Sequence, residues 1–149
     1  MNISQKCQYA LRATFELAKR SSEKPVSSVE IAKKQAIPPR FLESILAQLK
    51  QAGLVQSRRG ASGGYVLALP AAEITVGDII RRIDGPLDPV RCIAGSSGKA
   101  CPLLGNCAFE GLWERSKNAV SEVYDSTTLD DLVQEDRTRQ SVEALNYCI

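Results

Sequence analysis

Residues 25–55 read PVSSVEIAKKQAIPPRFLESILAQLKQAGLV. Leu42, Ile45, Leu46 and Leu49 recur at i, i+3, i+4 and i+7, the interval that lines up side chains on one face of an α-helix. This spacing predicts a helix over 39–52. Gly53 is placed to end it, because glycine enters the left-handed C′ conformation without a Cβ clash. The opposite face carries Arg40, Glu43, Ser44 and Ala47, which are short or polar. Upstream, Ser27 is followed three residues later by Glu30. That is a capping-box pattern, in which hydroxyl and carboxylate satisfy the orphan amides of a helix start. A short helix is expected over 28–35, with Val29, Ile31 and Ala32 inward. The chain turns between the two helices at QAIPP, residues 35–39. Proline is tolerated in a first helical turn, whose amides have no intrahelical acceptor.

Working outward, Ala10, Ala13, Leu17 and Ala18 stand at helical spacing, and Leu11 and Phe15 widen the apolar face. They predict a first helix over roughly 4–20. Residues 54–69, LVQSRRGASGGYVLAL, alternate apolar and polar side chains around a glycine-rich turn. This pattern predicts a β-hairpin with strands near 54–58 and 65–69, and with Arg58, Arg59 and Gly60 at its tip. Helix, helix, turn, helix and hairpin in that order make a winged helix-turn-helix. The expected fold is mainly α with a small β-hairpin wing, and residues 1–84 form the DNA-binding domain. A small α+β domain without DNA function is the bland alternative. The short turn, the polar face of the third helix and the arginines at the hairpin tip count against it.

The rest of the chain divides in two. ITVGDIIRRIDG, residues 74–85, predicts a helix capped by Thr75 that points Val76, Ile79, Ile80 and Ile83 inward. A cysteine-containing loop, 85–107, follows without periodicity; a loop of that length is commonly functional. Helical spacing returns over 108–124 with Phe109, Leu112, Trp113, Val120, Val123 and Tyr124. Such a stripe is usually core. Beyond a complete winged domain, its cheapest cover is a second copy of itself, so Leu112, Trp113, Val120 and Val123 are candidate dimerisation residues. DSTTLDDLVQED, 125–136, reads as a short capped helix before a polar tail. Together, 108–149 are expected to be a long dimerisation helix and C-terminal tail.

Charge supports a nucleic-acid partner. The chain has 149 residues and a net charge of +2, yet residues 1–60 hold eleven Lys/Arg against four Asp/Glu, and the remainder holds eight against thirteen. A basic N-terminal part favours an acidic partner. There is no histidine, so no Ser–His–Asp or Cys–His nucleophile and no His-ligated zinc hydrolase site can be built. No phosphate-cradling glycine motif is present either, and an enzyme is not expected. No apolar run approaches the ~20 residues of a membrane span. The N-terminus has no signal-peptide pattern, and a cytoplasmic location is the expectation.

The loop RCIAGSSGKACPLLGNCAFE, residues 91–110, holds Cys92, Cys101 and Cys107. Disulfides are rare in a reducing compartment, and five cysteines cannot form a closed set. Eight residues separate the first pair and five the second, unlike the C-x-x-C of zinc ribbons or thioredoxin-like sites. Structural zinc wants four N or S ligands, whereas iron–sulfur clusters accept thiolates from irregular loops. An iron–sulfur cluster, a thiol switch and zinc all stay open on spacing alone, in that order of preference. Cys7 reads as a semi-buried structural cysteine, and Cys148 has no spacing argument.

Five stretches in order, covering nearly the whole chain, resemble a known family: MNIS and YALRA at 1–13, then 25–55, SRRGASGGYVLA at 57–68, ITVGDIIRRIDGPLDPVRC at 74–92, and DSTTLDDL at 125–132. The family is that of the bacterial winged-helix regulators that include IscR, NsrR and CymR. The resemblance implies a homodimeric transcription regulator, in most cases a repressor, gripping a pseudo-palindromic double-stranded operator. It implies that Cys92, Cys101 and Cys107 hold an iron–sulfur cluster, commonly 2Fe–2S and in some members 4Fe–4S. Some members place a histidine three residues after the third cysteine; Glu110 stands there. In others an acidic residue near position eight of the partner supplies the fourth ligand; Gln8 stands there, next to Cys7. Glu110 is the favoured fourth ligand and Cys7 the alternative.

For DNA, Arg40 and Lys50 are expected at phosphates, Glu43 and Ser44 at base edges, and Arg59 in a narrow minor groove. Ser27, Pro39, Arg58 and Gly60 complete the candidate set. A second control is implied by CymR-like members, which end in an aromatic residue and isoleucine and pair with cysteine synthase. Here Ile149 closes NYCI, and its terminal carboxylate could dock there. Thiol oxidation is the related alternative.

Overall fold

The computed structural model describes residues 2–20, 24–60, 62–90, 101–103 and 105–146. Among these residues, six helices and one antiparallel hairpin follow in the order α1 (Gln5–Ala18), α2 (Ser28–Gln35), α3 (Pro39–Gln51), β1 (Val55–Arg58), β2 (Gly64–Leu67), α4 (Val76–Ile83), α5 (Glu110–Ser126) and α6 (Leu129–Asn146). A single 3-10 turn, Ala71–Glu73, joins β2 to α4. The helices and hairpin expected of a winged helix-turn-helix are present, in the expected order.

Local chemistry explains most of the boundaries. Ser4 caps α1 by accepting from the Cys7 amide. Pro39 occupies the first turn of α3, and Gly53 ends it at φ 75°. Thr75 and Asp78 make a reciprocal capping box at α4. Thr128 and Asp131 make the same exchange at α6, with Asp131 Oδ2 accepting from Thr128 N at 2.9 Å and Thr128 Oγ1 accepting from Asp131 N at 3.1 Å.

Three expectations are corrected. Ser27 does accept from the Glu30 amide, but the Glu30 carboxylate pairs instead with Arg20 and Lys34. Two cations outcompete a backbone amide for it, and the capping box is half made. Val29 is not inward but 75 % exposed, because it lies about 200° around the helix from Ile31. The segment after Thr128 is an 18-residue helix rather than a short one with a polar tail. Its outer half has no apolar stripe to announce it. Side-chain pairs one turn apart support it, Gln134 to Asp130 and Gln140 to Asp136, each a modest helix-stabilising interaction.

One core joins nearly every element. Ala10, Ala13 and Leu17 of α1 meet Ile31 and Ala32 of α2, Leu42, Ile45, Leu46 and Leu49 of α3, Val55 and Leu67 of the hairpin, Ile79 of α4, and Leu129 of α6. Leu129 of α6 therefore contributes to the core of the winged helix-turn-helix. A second, smaller cluster brings Cys7, Val76, Ile80 and Leu87 together, joining the start of α1, α4 and the start of the cysteine loop.

The turn between α2 and α3 carries a strained residue. Ala36 has φ 48° and ψ 48°, the left-handed region that disfavours a Cβ. Ala36→Gly is expected to stabilise the fold by about 0.5–1 kcal/mol; an unchanged or lower urea midpoint would contradict this.

Candidate nucleic-acid interface and cysteine loop

Arg40, Glu43, Ser44 and Ala47 are all exposed along one side of α3, opposite the buried Leu42, Ile45, Leu46 and Leu49. The Arg40 guanidinium lies 4.7 Å from the Phe41 ring centroid, a cation–π contact that restrains both side chains. Ser44 Oγ donates to the Phe41 carbonyl at 2.8 Å, which leaves the hydroxyl oxygen its capacity to accept. Lys50 is engaged: its Nζ donates to Ser57 Oγ at 2.8 Å. The lysine expected at a phosphate thus also ties the end of α3 to the first wing strand.

The wing is seated on the segment before α2. Val26 and Tyr65 exchange two backbone hydrogen bonds, each 2.9 Å. Gly64 approaches so closely that a Cβ there would stand 2.5 Å from the Val26 carbonyl oxygen. Within the hairpin Val55 pairs with Leu67 and Arg58 with Gly64. Arg58, Arg59 and Gly60 are therefore held, exposed, at the tip. Ser27, capping α2, and Pro39, opening α3, are exposed too.

Of the candidate iron ligands, Cys101 and Cys107 are half-buried and Glu110 is the exposed first residue of α5. The Glu110 amide donates to the Cys107 carbonyl at 3.1 Å. Cys92 and Ile149 lie outside the described residues. Among the described residues no three Cys, Asp or Glu side chains come together as a metal would need, so Cys101, Cys107 and Glu110 do not assemble by themselves. Cys7, the alternative fourth ligand, is fully buried in the second cluster. Burial, aided by the charge of Asp84, pushes its thiol up to about 12. A thiol so placed stays protonated at neutral pH, and ligation needs the thiolate.

The start of the loop is anchored at three points that the sequence did not suggest. Asp84 accepts from Ser4 N at 2.8 Å and Ser4 Oγ at 2.5 Å; Ser4 is itself the cap of α1. Leu87 is buried beside Cys7. Asp88, nearly buried, lies 2.7 Å from Lys117 Nζ on α5. Residues 84–88 thereby strap the first helix of the reading head to α5. They fall within the family-like stretch 74–92, but nothing in it announces these contacts, since each partner is far away in sequence.

Helix α5 rests chiefly on α4. Arg81 grips Asp125 through two hydrogen bonds of 2.7 Å, and Gly77 makes room for that carboxylate. No residue of α5 is buried. Phe109, Leu112 and Val123 are exposed, while Trp113 and Val120 are half-buried. No helix among the described residues is long and apolar enough to cross a membrane.

A family profile described as Rrf2, iron-dependent transcriptional regulator, matches residues 3–135. The HTH-type transcriptional regulator CymR of Bacillus subtilis is 43 % identical over 132 residues, 89 % of each chain. The solved structure of CymR, the global cysteine regulator of that organism, superposes with a TM-score of 0.74 at 41 % identity, covering 91 % of this chain and 98 % of that one. IscR of Pectobacterium carotovorum is 35 % identical over 133 residues, 89 % of this chain and 79 % of that protein. The structure of IscR from T. potens matches with a TM-score of 0.77 at 37 % identity, covering 94 % and 91 %.

Proposed function

The chain belongs to the Rrf2 family of winged-helix transcription regulators, and from that premise we propose that it is a homodimeric repressor whose operator binding is set by an iron–sulfur cluster on the 92–107 loop. It is a DNA-binding regulator and not an enzyme. The observation that carries the finer reading is the position of the cysteines. They fall on a segment whose base is strapped to α1 and whose end runs into α5.

The donor set suits the group. Cys101 and Cys107 present half-buried thiols, Cys92 would be the third, and Glu110, three residues after Cys107, offers an oxygen at the start of α5. Thiolates from an irregular loop are the usual holders of such clusters. When bound, a 2Fe–2S cluster supplies a centre whose charge or presence responds to electrons, oxidants or iron supply. The protein's own residues do the rest. Cys92 lies four residues beyond Asp88, so a change in the loop's hold pulls on the Asp88–Lys117 and Asp84–Ser4 contacts. Those contacts orient α1, which packs directly on α3. A signal works only as far as the two loop states differ in their affinity for DNA. The exposed apolar residues of α5, Phe109, Leu112 and Val123, are where a second protomer would pack, setting two α3 helices on two half-sites.

Protein purified without oxygen should be coloured and should contain iron and acid-labile sulfide, and its operator affinity should change when the cluster is removed. A colourless, iron-free preparation whose DNA binding follows thiol oxidation would favour a second reading, control by thiols or cysteine supply. That reading is supported by the likeness to CymR. It includes docking of Ile149 to cysteine synthase, and deleting Ile149 without effect on binding to that enzyme would remove this part.

On DNA, Glu43→Ala is expected to cut discrimination between matched and mismatched operators by roughly tenfold, since a carboxylate accepts from cytosine N4 and rejects other base edges. Arg59→Ala should instead weaken binding broadly across operators, because a cation in a narrow minor groove answers to the groove's negative potential and not to a single base edge. Equal loss on every operator for Glu43→Ala would contradict this assignment.

A further inference from the structure

Phe41 is the third residue of α3 and is 45 % exposed. It stands beside the buried stripe rather than in it, on the flank that faces α1. Its ring lines a cavity of about 210 Å³ together with Gln5, Lys6, Tyr9, Ser44 and Ile45. The Arg40 guanidinium lies over the ring at 4.7 Å. A large apolar group is thus kept open, in a restrained orientation, among polar and basic side chains at the N-terminal end of the recognition helix. That end is where residues of this motif meet base edges.

We propose that Phe41 is a specificity-determining residue that reads the C5 methyl group of a thymine in each half-site. Phenylalanine can neither donate nor accept a hydrogen bond. The edges of base pairs in the major groove present donors, acceptors and one apolar group, the thymine methyl. An exposed phenyl ring there has only that partner to match. Lys6, which lines the same cavity, and Arg40, which lies over the ring, supply the positive charge that holds the DNA backbone close. The small cavity beside the ring has room for a methyl group. This inference rests on α3 being the helix that enters the major groove.

The test uses the full-length protein and a duplex probe selected by it from a random-sequence library. Each thymine of the selected duplex is replaced in turn by deoxyuridine, which removes the methyl and keeps base pairing. One symmetry-related pair of positions should weaken wild-type binding by about fourfold per half-site, the factor expected for one buried methyl. Phe41→Ala should bind more weakly and lose that sensitivity; Phe41→Leu, still apolar, should keep part of it. Melting curves of both variants should stay close to wild type, because the ring is half in solvent. The proposal fails if no deoxyuridine substitution matters, or if Phe41→Ala keeps the same sensitive position. A library from which no sequence is enriched would instead overturn sequence reading by α3 itself.

Discussion

Gly64→Ala is expected to destabilise the protein by about 2–3 kcal/mol and to weaken DNA binding beyond that loss of folded protein. The added Cβ would stand 2.5 Å from the Val26 carbonyl oxygen, 2.6 Å from its carbon and 3.0 Å from the Ser27 amide nitrogen. All three are backbone atoms, so no side chain can swing away to relieve the contact. The strand must retreat, and the two 2.9 Å hydrogen bonds between Val26 and Tyr65 go with it. Those bonds aim the wing, so Arg58 and Arg59 lose their placement relative to α3. Gly53 provides the contrast. Its φ is 75° but nothing lies within 4 Å of a Cβ built on it, so Gly53→Ala should cost only the left-handed strain, about 1–2 kcal/mol, and leave the wing in place. Urea midpoints and operator titrations of the two variants separate the cases. Equal loss of operator affinity in both would refute the seat assigned to Gly64.

Leu129→Ala is expected to cost about 2–5 kcal/mol, the range for emptying a fully buried leucine site. That is a large part of a typical stability of about 5–15 kcal/mol. Leu129 opens α6, is completely buried, and shares a core with Leu42 and Leu46 of α3. Its amide donates to the Ile74 carbonyl at 2.9 Å, and Val76 N donates to the Thr127 carbonyl at the same distance. A change in the C-terminal region should therefore lower the melting of the whole reading head in one cooperative step. If α6 were an independent appendage, the variant would unfold in two steps with the head unaffected. Asp136 reinforces the joint from the next turns. It is almost buried and accepts from Lys19 of α1 at 2.9 Å and from Arg139 at 2.7 Å. Those cations hold its carboxyl below the usual range.

The core of the fold was legible because its determinants are short-range. The stripe from Leu42 to Leu49, the cap at Ser27, the stop at Gly53 and the alternation around the hairpin turn each declare themselves within a few residues. Where local signals compete, legibility ended. Glu30 had an amide and two cations to choose between, and the cations, one of them ten residues away, took it. Val29 is apolar yet outward, since a β-branched residue at a helix start need not follow the stripe. The outer half of α6 carries a helix made by side-chain pairs, which leave no hydrophobic period. Phe41 gave no signal in the sequence; its exposure and its partner Arg40 belong to the folded surface.

By itself, then, the sequence determined a winged helix-turn-helix, a polar face on its third helix, a stretch that carries three cysteines, and the family to which all of these belong. Tertiary structure alone decided how those parts are joined. Ser4 meets Asp84 across eighty residues, Asp88 meets Lys117, Gly64 meets Val26, and Leu129 enters the core of the head. The physical reason is the range of the forces involved. Helix periods, caps and turns are set by neighbours along the chain. Ion pairs between helices, backbone contacts closer than a Cβ allows and a shared core exist only once distant segments have been packed together.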